Sequence, residues 1–126
     1  MVPTQIPETA GGAPIDLDVL ARLMGDARPD NLNRMLAVFW QAEAETPLTL
    51  RRFADARDGK ALADAAHGAK GAAAVIGALE IADLCKALEL NAGSGDWDAV
   101  GRLMTQVEQA YAAARAFIAA RQPLRP

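Results

Sequence analysis

Apolar side chains recur at intervals of three and four residues along most of the chain, the spacing that collects them on one face of an α-helix. In "DLDVLARLMG" that face is Leu17, Leu20, Leu23 and Met24, with Asp16 as N-cap and Gly25 as the stop. A second stripe runs through Leu32, Met35, Phe39, Ala42, Thr46, Leu50 and Phe53. Pro47 lies inside it, lacks a backbone donor and crowds the preceding turn. Because the stripe resumes beyond the proline, one long kinked helix capped by Asp30 is predicted, closed by the turn Asp58-Gly59. A third stripe, Leu62, Ala66, Ala69, Ala73 and Ile76, runs from Lys60 to about Gly77. A fourth, Ile81, Leu84, Cys85 and Leu88, ends at "NAGSGD". The last begins at Asp96 or Trp97, buries Val100, Leu103, Val107, Tyr111, Ala114 and Ile118, and stops before Pro123.

Short connections make neighbouring helices antiparallel. The pattern therefore predicts an all-α fold: an antiparallel four-helix bundle over residues 15–121, with a short extra N-terminal helix. Residues 1–14 hold three prolines, two adjacent glycines and no hydrophobic period, and are expected to be a disordered tail. Residues 122–126 are expected to be a C-terminal tail.

Composition sharpens this picture. The 126 residues are 52% hydrophobic but only 5% aromatic, so alanine and leucine must fill one small core. Good helix formers dominate and β-branched residues are sparse. A net charge of −3 argues against a general nucleic-acid binder. The single cysteine, Cys85, has no internal disulfide partner, which fits a reducing compartment. "MVPTQIPETAGGAP" has neither the basic start nor the apolar run of a signal peptide. The longest apolar run, residues 71–79, is too short to span a bilayer. A cytoplasmic protein with no membrane or nucleic-acid partner is expected.

The candidate chemistry lies in "AHGAKGAAAVIG", which holds the only histidine, His67. His67 is one residue off the apolar stripe, about 100° round the helix, and so flanks the core. Ala63, Asp64, Lys70 and Gly71 share its face, and Ala74 extends the strip. Glycine inside a helix costs about 1 kcal/mol relative to alanine. Gly68, Gly71 and Gly77 therefore need a reason, such as the close approach of another surface. Imidazole is a good nucleophile near neutral pH, and attack on an activated phosphoryl group would phosphorylate a ring nitrogen. The Lys70 ammonium, one turn on, would offset the charge of that group. The plainer reading is a polar surface histidine with a lysine beside it.

The longer pattern favours the chemical reading. "AHGAKGAAAVIGALEIADLCKALE" resembles the histidine-containing phosphotransfer (HPt) domain family. His67 is followed at the third and fourth positions by Lys70-Gly71, then Ala72, with Gly77 ten residues on and Leu84-Cys85 and Leu88-Glu89 beyond. Phe39, Pro47 and Asp58-Gly59 match upstream features of the family. The resemblance extends over roughly residues 15–121. Ala69 and Ala72 depart from it, standing where a larger apolar residue and often a serine are usual.

The resemblance implies a bundle that accepts a phosphoryl group from the aspartyl phosphate of a response-regulator receiver domain and passes it to another receiver. His67 would carry the group on Nε2, with Lys70 as its charged neighbour and Gly71 as clearance. Ala63, Asp64, Gly68, Ala74 and Trp40 would form the surface a partner touches. A hybrid histidine kinase is a further implied partner. No cofactor is expected on this chain, Mg²⁺ belongs to the receiver, and the family's members are usually monomers. The competing expectation is a helical adaptor that binds a signalling partner without being phosphorylated.

Other features carry less. Arg51, Arg52, Arg57, Lys60 and Lys70 stand against Asp55, Asp58 and Asp64, which makes either a basic area that steers an acidic receiver or a solvated helix face. Trp40 is either an aromatic anchor or a residue packed under a neighbouring helix, and Trp97 covers a bundle end. Cys85 falls on a buried stripe as a small core residue. "GAKG" matches the G-x-x-G loop of an RNA-binding KH module, but no strands surround it. One His and one Cys are too few for a metal site, a lone Ser94 in a glycine loop makes no triad, and no P-loop is present.

Overall fold

The computed structural model describes residues 13–122, so the expected tails at 1–14 and 122–126 lie outside the described residues except for 13, 14 and 122. Six helices follow in order: α1 (Leu17–Met24), α2 (Pro29–Glu43), α3 (Thr46–Asp55), α4 (Gly59–Val75), α5 (Leu79–Ser94) and α6 (Trp97–Ala120). Helices α3, α4, α5 and α6 close a ring of packed neighbours, with α4 and α6 at opposite corners. Helix α2 leans on α6 and α1, and α1 touches both α2 and α4. This is an all-helical four-helix bundle with a short N-terminal helix against one end, as the periodicity predicts.

Local signals account for most boundaries. The Asp16 carboxylate accepts from the Asp18 N–H at 3.0 Å, and Gly25 ends α1 in the left-handed region at φ 68°. Asp58 caps α4 by accepting from the Ala61 N–H at 3.1 Å, and Asp96 caps α6 through the Ala99 N–H at 3.1 Å. Helix α5 runs on through "NAGS" and stops only at Gly95, φ 78°. Asp30 is not a cap. Pro29 takes the first helical position, where its missing N–H costs nothing, so the N-cap is Arg28 and Asp30 sits in the first turn.

The single kinked helix is instead two helices. Proline at 47 cannot donate to the Glu43 carbonyl and its ring crowds that group, so α2 ends at Glu43. The chain stays right-handed through Ala44 and Glu45 before α3 begins, with Thr46 Oγ1 donating to Glu43 Oε1 at 2.9 Å. The break also changes the buried face. Leu32, Leu36, Phe39 and Leu50 are buried, Met35 and Phe53 are half-buried, and Ala42 is exposed. In α1, Leu20 is buried but Leu23 faces solvent, and in α6 Met104 is buried more fully than Leu103.

The core is aliphatic and alanine-rich. Leu62, Ala66, Ala69 and Ala73 of α4 meet Ile81, Cys85, Leu88 and Ala92 of α5 in the most extensive helix pair of the bundle. Burial pushes the Cys85 thiol up to about 11, which keeps it in the inert protonated form. Across the bundle, Arg51 on α3 makes a two-pronged bond to Glu108 on α6, at 2.9 and 2.8 Å. Tyr111 is buried on α6, and its hydroxyl has no hydrogen-bond partner among the described residues. Burial pushes the pKa of that hydroxyl well above its ordinary value, so it stays protonated. Tyr111→Phe should therefore leave stability unchanged or raise it by about 1 kcal/mol, since an unmade hydrogen bond is removed along with its desolvation cost. Denaturant unfolding checks this, and a clear loss would mean that the hydroxyl is satisfied in solution.

Candidate functional site

Helix α4 is short of side-chain volume, and that shapes the site. Where two helices meet through alanine their axes come close, because interaxial distance follows the size of the contacting side chains. The alanine stripe of α4 lies against α5 in this way. Gly59, at the start of α4, shows how close the end of α5 lies: a Cβ there would come within 2.9 Å of the Ala92 carbonyl oxygen. Side chains flanking the stripe on one helix can thus reach those on the other.

His67 is such a flanking residue. Its side chain is 65% exposed, and its Nδ1 lies 3.2 Å from Glu89 Oε2 and 3.3 Å from Oε1 on α5. Lys70, one turn on, places its Nζ 3.6 Å from Glu89 Oε1. One carboxylate therefore faces both the imidazole and the ammonium. A carboxylate only accepts hydrogen bonds, so this contact is made with Nδ1 protonated; in the neutral ring that leaves the lone pair on Nε2. Nε2 has no hydrogen-bond partner among the described residues.

Beside the ring the surface is low. A Cβ added at Gly68 or Gly71 would meet nothing within 4 Å. Ala74 is exposed, and Val75, two helical turns along the ridge from His67, is 52% exposed. Leu79, at the start of α5, is exposed as well. The site is an open ridge. Two surface clefts, one lined by Ile15, Asp16 and Phe117 and one by Arg28, Asn31 and Arg34, include none of His67, Lys70 and Glu89. No group of three or more His, Cys, Asp or Glu among the described residues is placed to hold a metal ion.

The other sequence-predicted residues are less closely tied to the ring. Ala63 is half-buried against the core. Asp64 is exposed and bonded at 2.8 Å to Lys60, one turn before it. Trp40 is half-buried against the core on α2, which packs on α6 and α1, so it reads as a packing residue. Trp97 lies 3.7 Å from the position a Gly59 Cβ would take, over the junction of the α4 and α5 ends.

The basic area is reduced by partners remote in sequence. Arg51 is taken by Glu108 and Lys70 by Glu89, while Lys60 is held by Asp64. The five cations thus stand against five carboxylates once Glu108 and Glu89 join the three local aspartates. Glu89 is also the site residue that periodicity alone passes over. Its signal was the Leu88-Glu89 pair at a fixed distance from His67, which carried no role until α5 was placed on α4.

A bundle with one exposed, carboxylate-braced imidazole on a low ridge has the form of a phosphoryl-carrying histidine domain. The family model of the Hpt domain matches residues 34–117. The crystal structure of histidine-containing phosphotransfer protein B (HptB) from Pseudomonas aeruginosa PAO1 is similar, with a TM-score of 0.75 and 31% sequence identity over 89% of this chain and 97% of that one. No curated protein sequence matches the chain. The chain belongs to the Hpt domain family, and its general role is histidine phosphotransfer in a phosphorelay of two-component signalling. Domains of this family interact with response-regulator receivers and kinases. No helix among the described residues is long and apolar enough to cross a membrane.

Proposed function

We propose that His67 accepts a phosphoryl group from the aspartyl phosphate of one receiver domain and delivers it to the aspartate of another. The observation that carries this reading is the exposed ring, braced at Nδ1 and free at Nε2, on a ridge with open space beside it. The Nε2 lone pair attacks phosphorus in line with the acyl phosphate oxygen. The N–P bond forms, the P–O bond breaks, and the receiver's carboxylate leaves. Mg²⁺ is expected on the receiver, and no cofactor is required of this chain. Gly68, Gly71, Ala74 and Val75 form the surface on which the receiver seats.

The test is transfer from a panel of phosphorylated receiver domains of the same organism to the wild type and to His67→Gln. Acid-labile label on the wild type alone supports the reading. No label from any receiver on folded protein would favour the adaptor.

Lys70 carries charge rather than bonds. Lys70→Ala should fold normally, because the side chain is on the surface ridge, and should slow phosphoryl uptake about tenfold, the scale of one charge-assisted contact. Rapid-quench kinetics reads this directly. Gly71 separates clearance from stability. Gly71→Ala should stabilise the fold by about 0.5–1 kcal/mol, since the added methyl meets nothing and glycine is entropically costly in a helix. Gly71→Leu should also fold, yet transfer at least about tenfold more slowly because it fills the space beside the ring. A leucine variant transferring at the wild-type rate would remove the clearance argument.

A further inference from the structure

We infer that α1 is a latch on the receiver seat. Docked through Asp16 on Gly77, it fixes the corner between α4 and α5 that presents Val75 and Leu79, and its release weakens receiver binding while leaving the chemistry at His67 intact. The inference rests on the receiver seating on this ridge.

The corner has little of its own to hold it. Val75 ends α4, Leu79 begins α5, and Ile76, Gly77 and Ala78 turn between them, with Gly77 at φ 81°. The Gly77 and Ala78 N–H groups donate back to the Ala74 and Ala73 carbonyls at 3.2 and 2.9 Å. The start of α5 has no side-chain cap. The Gly77 carbonyl is taken from outside the corner, by the Asp16 N–H at 2.8 Å. Ile76 and Ala78 are buried in the same cluster as Ile15 and Leu20 of the α1 segment. Val75 and Leu79, on either side of this bond, are half-exposed. One element far from His67 in sequence therefore pins the middle of a corner whose outer side chains are the apolar part of the seat.

The corner lies within reach of a partner on His67. Val75 is eight residues from His67, about 12 Å of helix. A partner covering about 800 Å² of this protein spans that distance, and Leu79 continues the surface onto α5. The chemistry is separate. His67, Lys70 and Glu89 meet across α4 and α5, each more than a turn from the corner.

Helix α1 is lightly held. It has eight residues, rests on α2 and α4, and has Leu20 as its one buried side chain. Its first turn borders an open cleft towards Phe117 and Arg121 of α6. Asp18, Arg22 and Leu23 face solvent. An element with so few buried contacts opens locally, below the free energy of global unfolding. A seat that is competent only while α1 is docked binds its partner with an affinity scaled by the docked fraction.

Three variants test this. Leu20→Ala loosens α1 without altering the corner's own residues. Asp16→Ala removes the cap and is the milder change, whereas Asp16→Asn retains an acceptor and should behave as wild type. A thermal melt confirms that each is folded, and hydrogen exchange gives the docked fraction of α1. Phosphoramidate, a small chemical phosphodonor, loads His67 without a receiver. The receiver that labels wild type fastest is then titrated in its unphosphorylated form. Leu20→Ala should load from phosphoramidate at the wild-type rate and bind that receiver up to about tenfold more weakly, in step with its docked fraction. Asp16→Ala should lie between the two. NMR signals of Val75 and Leu79 should move in both loosened variants, while those of His67 and Lys70 hold. Unchanged receiver affinity in a variant whose α1 has opened would overturn the inference, as would unmoved Val75 and Leu79 signals. If no receiver labels folded wild type, the relay reading falls instead, and the Val75 and Leu79 signals still decide whether α1 holds the corner.

Discussion

His67→Gln should abolish phosphoryl uptake completely while moving the melting midpoint by no more than about 3 °C. The structural half of this expectation follows from exposure. The side chain is 65% exposed, and its one polar contact among the described residues is the Glu89 carboxylate, so little burial and no core packing are lost. A glutamine amide is also a donor of similar reach and can bond to Glu89, leaving the Lys70 contact undisturbed. The chemical half is all-or-none. An amide nitrogen has its lone pair delocalised into the carbonyl and does not attack phosphorus, and His67 is the only histidine in the chain. No second imidazole can rescue the reaction. Label on His67→Gln equal to wild type would place the carrier on another residue, and acid stability of that label would point to a hydroxyl group.

The parts of this molecule that were legible in the sequence are those that depend on a few neighbouring residues. Asp16, Gly25, Asp58 and the stripe Leu62, Ala66, Ala69, Ala73 and Ile76 act within one or two turns, and the structure has each where the spacing puts it. The face of His67 followed from the same stripe. What was not legible depends on how helices pack. Pro47 announces a disturbance, but whether the chain kinks or breaks is settled by what its halves rest on: α2 leans on α6 and α1, and α3 packs between α4 and α6. Arg51 and Glu108 are 57 residues apart, and His67 and Glu89 are 22 apart. A charge sum over a local window therefore counted cations whose partners lay elsewhere. The same reasoning explains Glu89. Its identity was visible, whereas its work depends on the short α4–α5 separation that alanine permits.

Gly77→Ala should be the most damaging single-methyl change in the chain, costing about 3–5 kcal/mol and lowering the melting midpoint by roughly 10–25 °C. Gly77 follows α4 with φ at 81°, a left-handed conformation that an L side chain adopts only with strain. Strain is the smaller part. A Cβ at this position would lie 2.2 Å from the backbone oxygen of Asp16 and 3.1 Å from its carbonyl carbon. Those atoms are backbone and cannot rotate aside, so the segment entering α1 must move. That segment is held by the Asp16 N–H donating to the Gly77 carbonyl at 2.8 Å, and it buries Ile15 and Leu20 almost completely. Displacing it loses the hydrogen bond, the docking of α1 between α2 and α4, and the burial of two aliphatic side chains worth about 1.5–3 kcal/mol each when fully covered. The cost stays below the sum of these terms because α1 can detach while the four packed helices α3 to α6 remain. Hydrogen exchange separates the two outcomes: protection lost in α1 alone means detachment, and protection lost throughout means that α1 is required for the bundle. Phosphoryl uptake should survive detachment, since His67, Lys70 and Glu89 sit on α4 and α5 and are held by their mutual packing. A Gly77→Ala protein that melts like the wild type would show that the close approach of Asp16 to Gly77 is not maintained in solution.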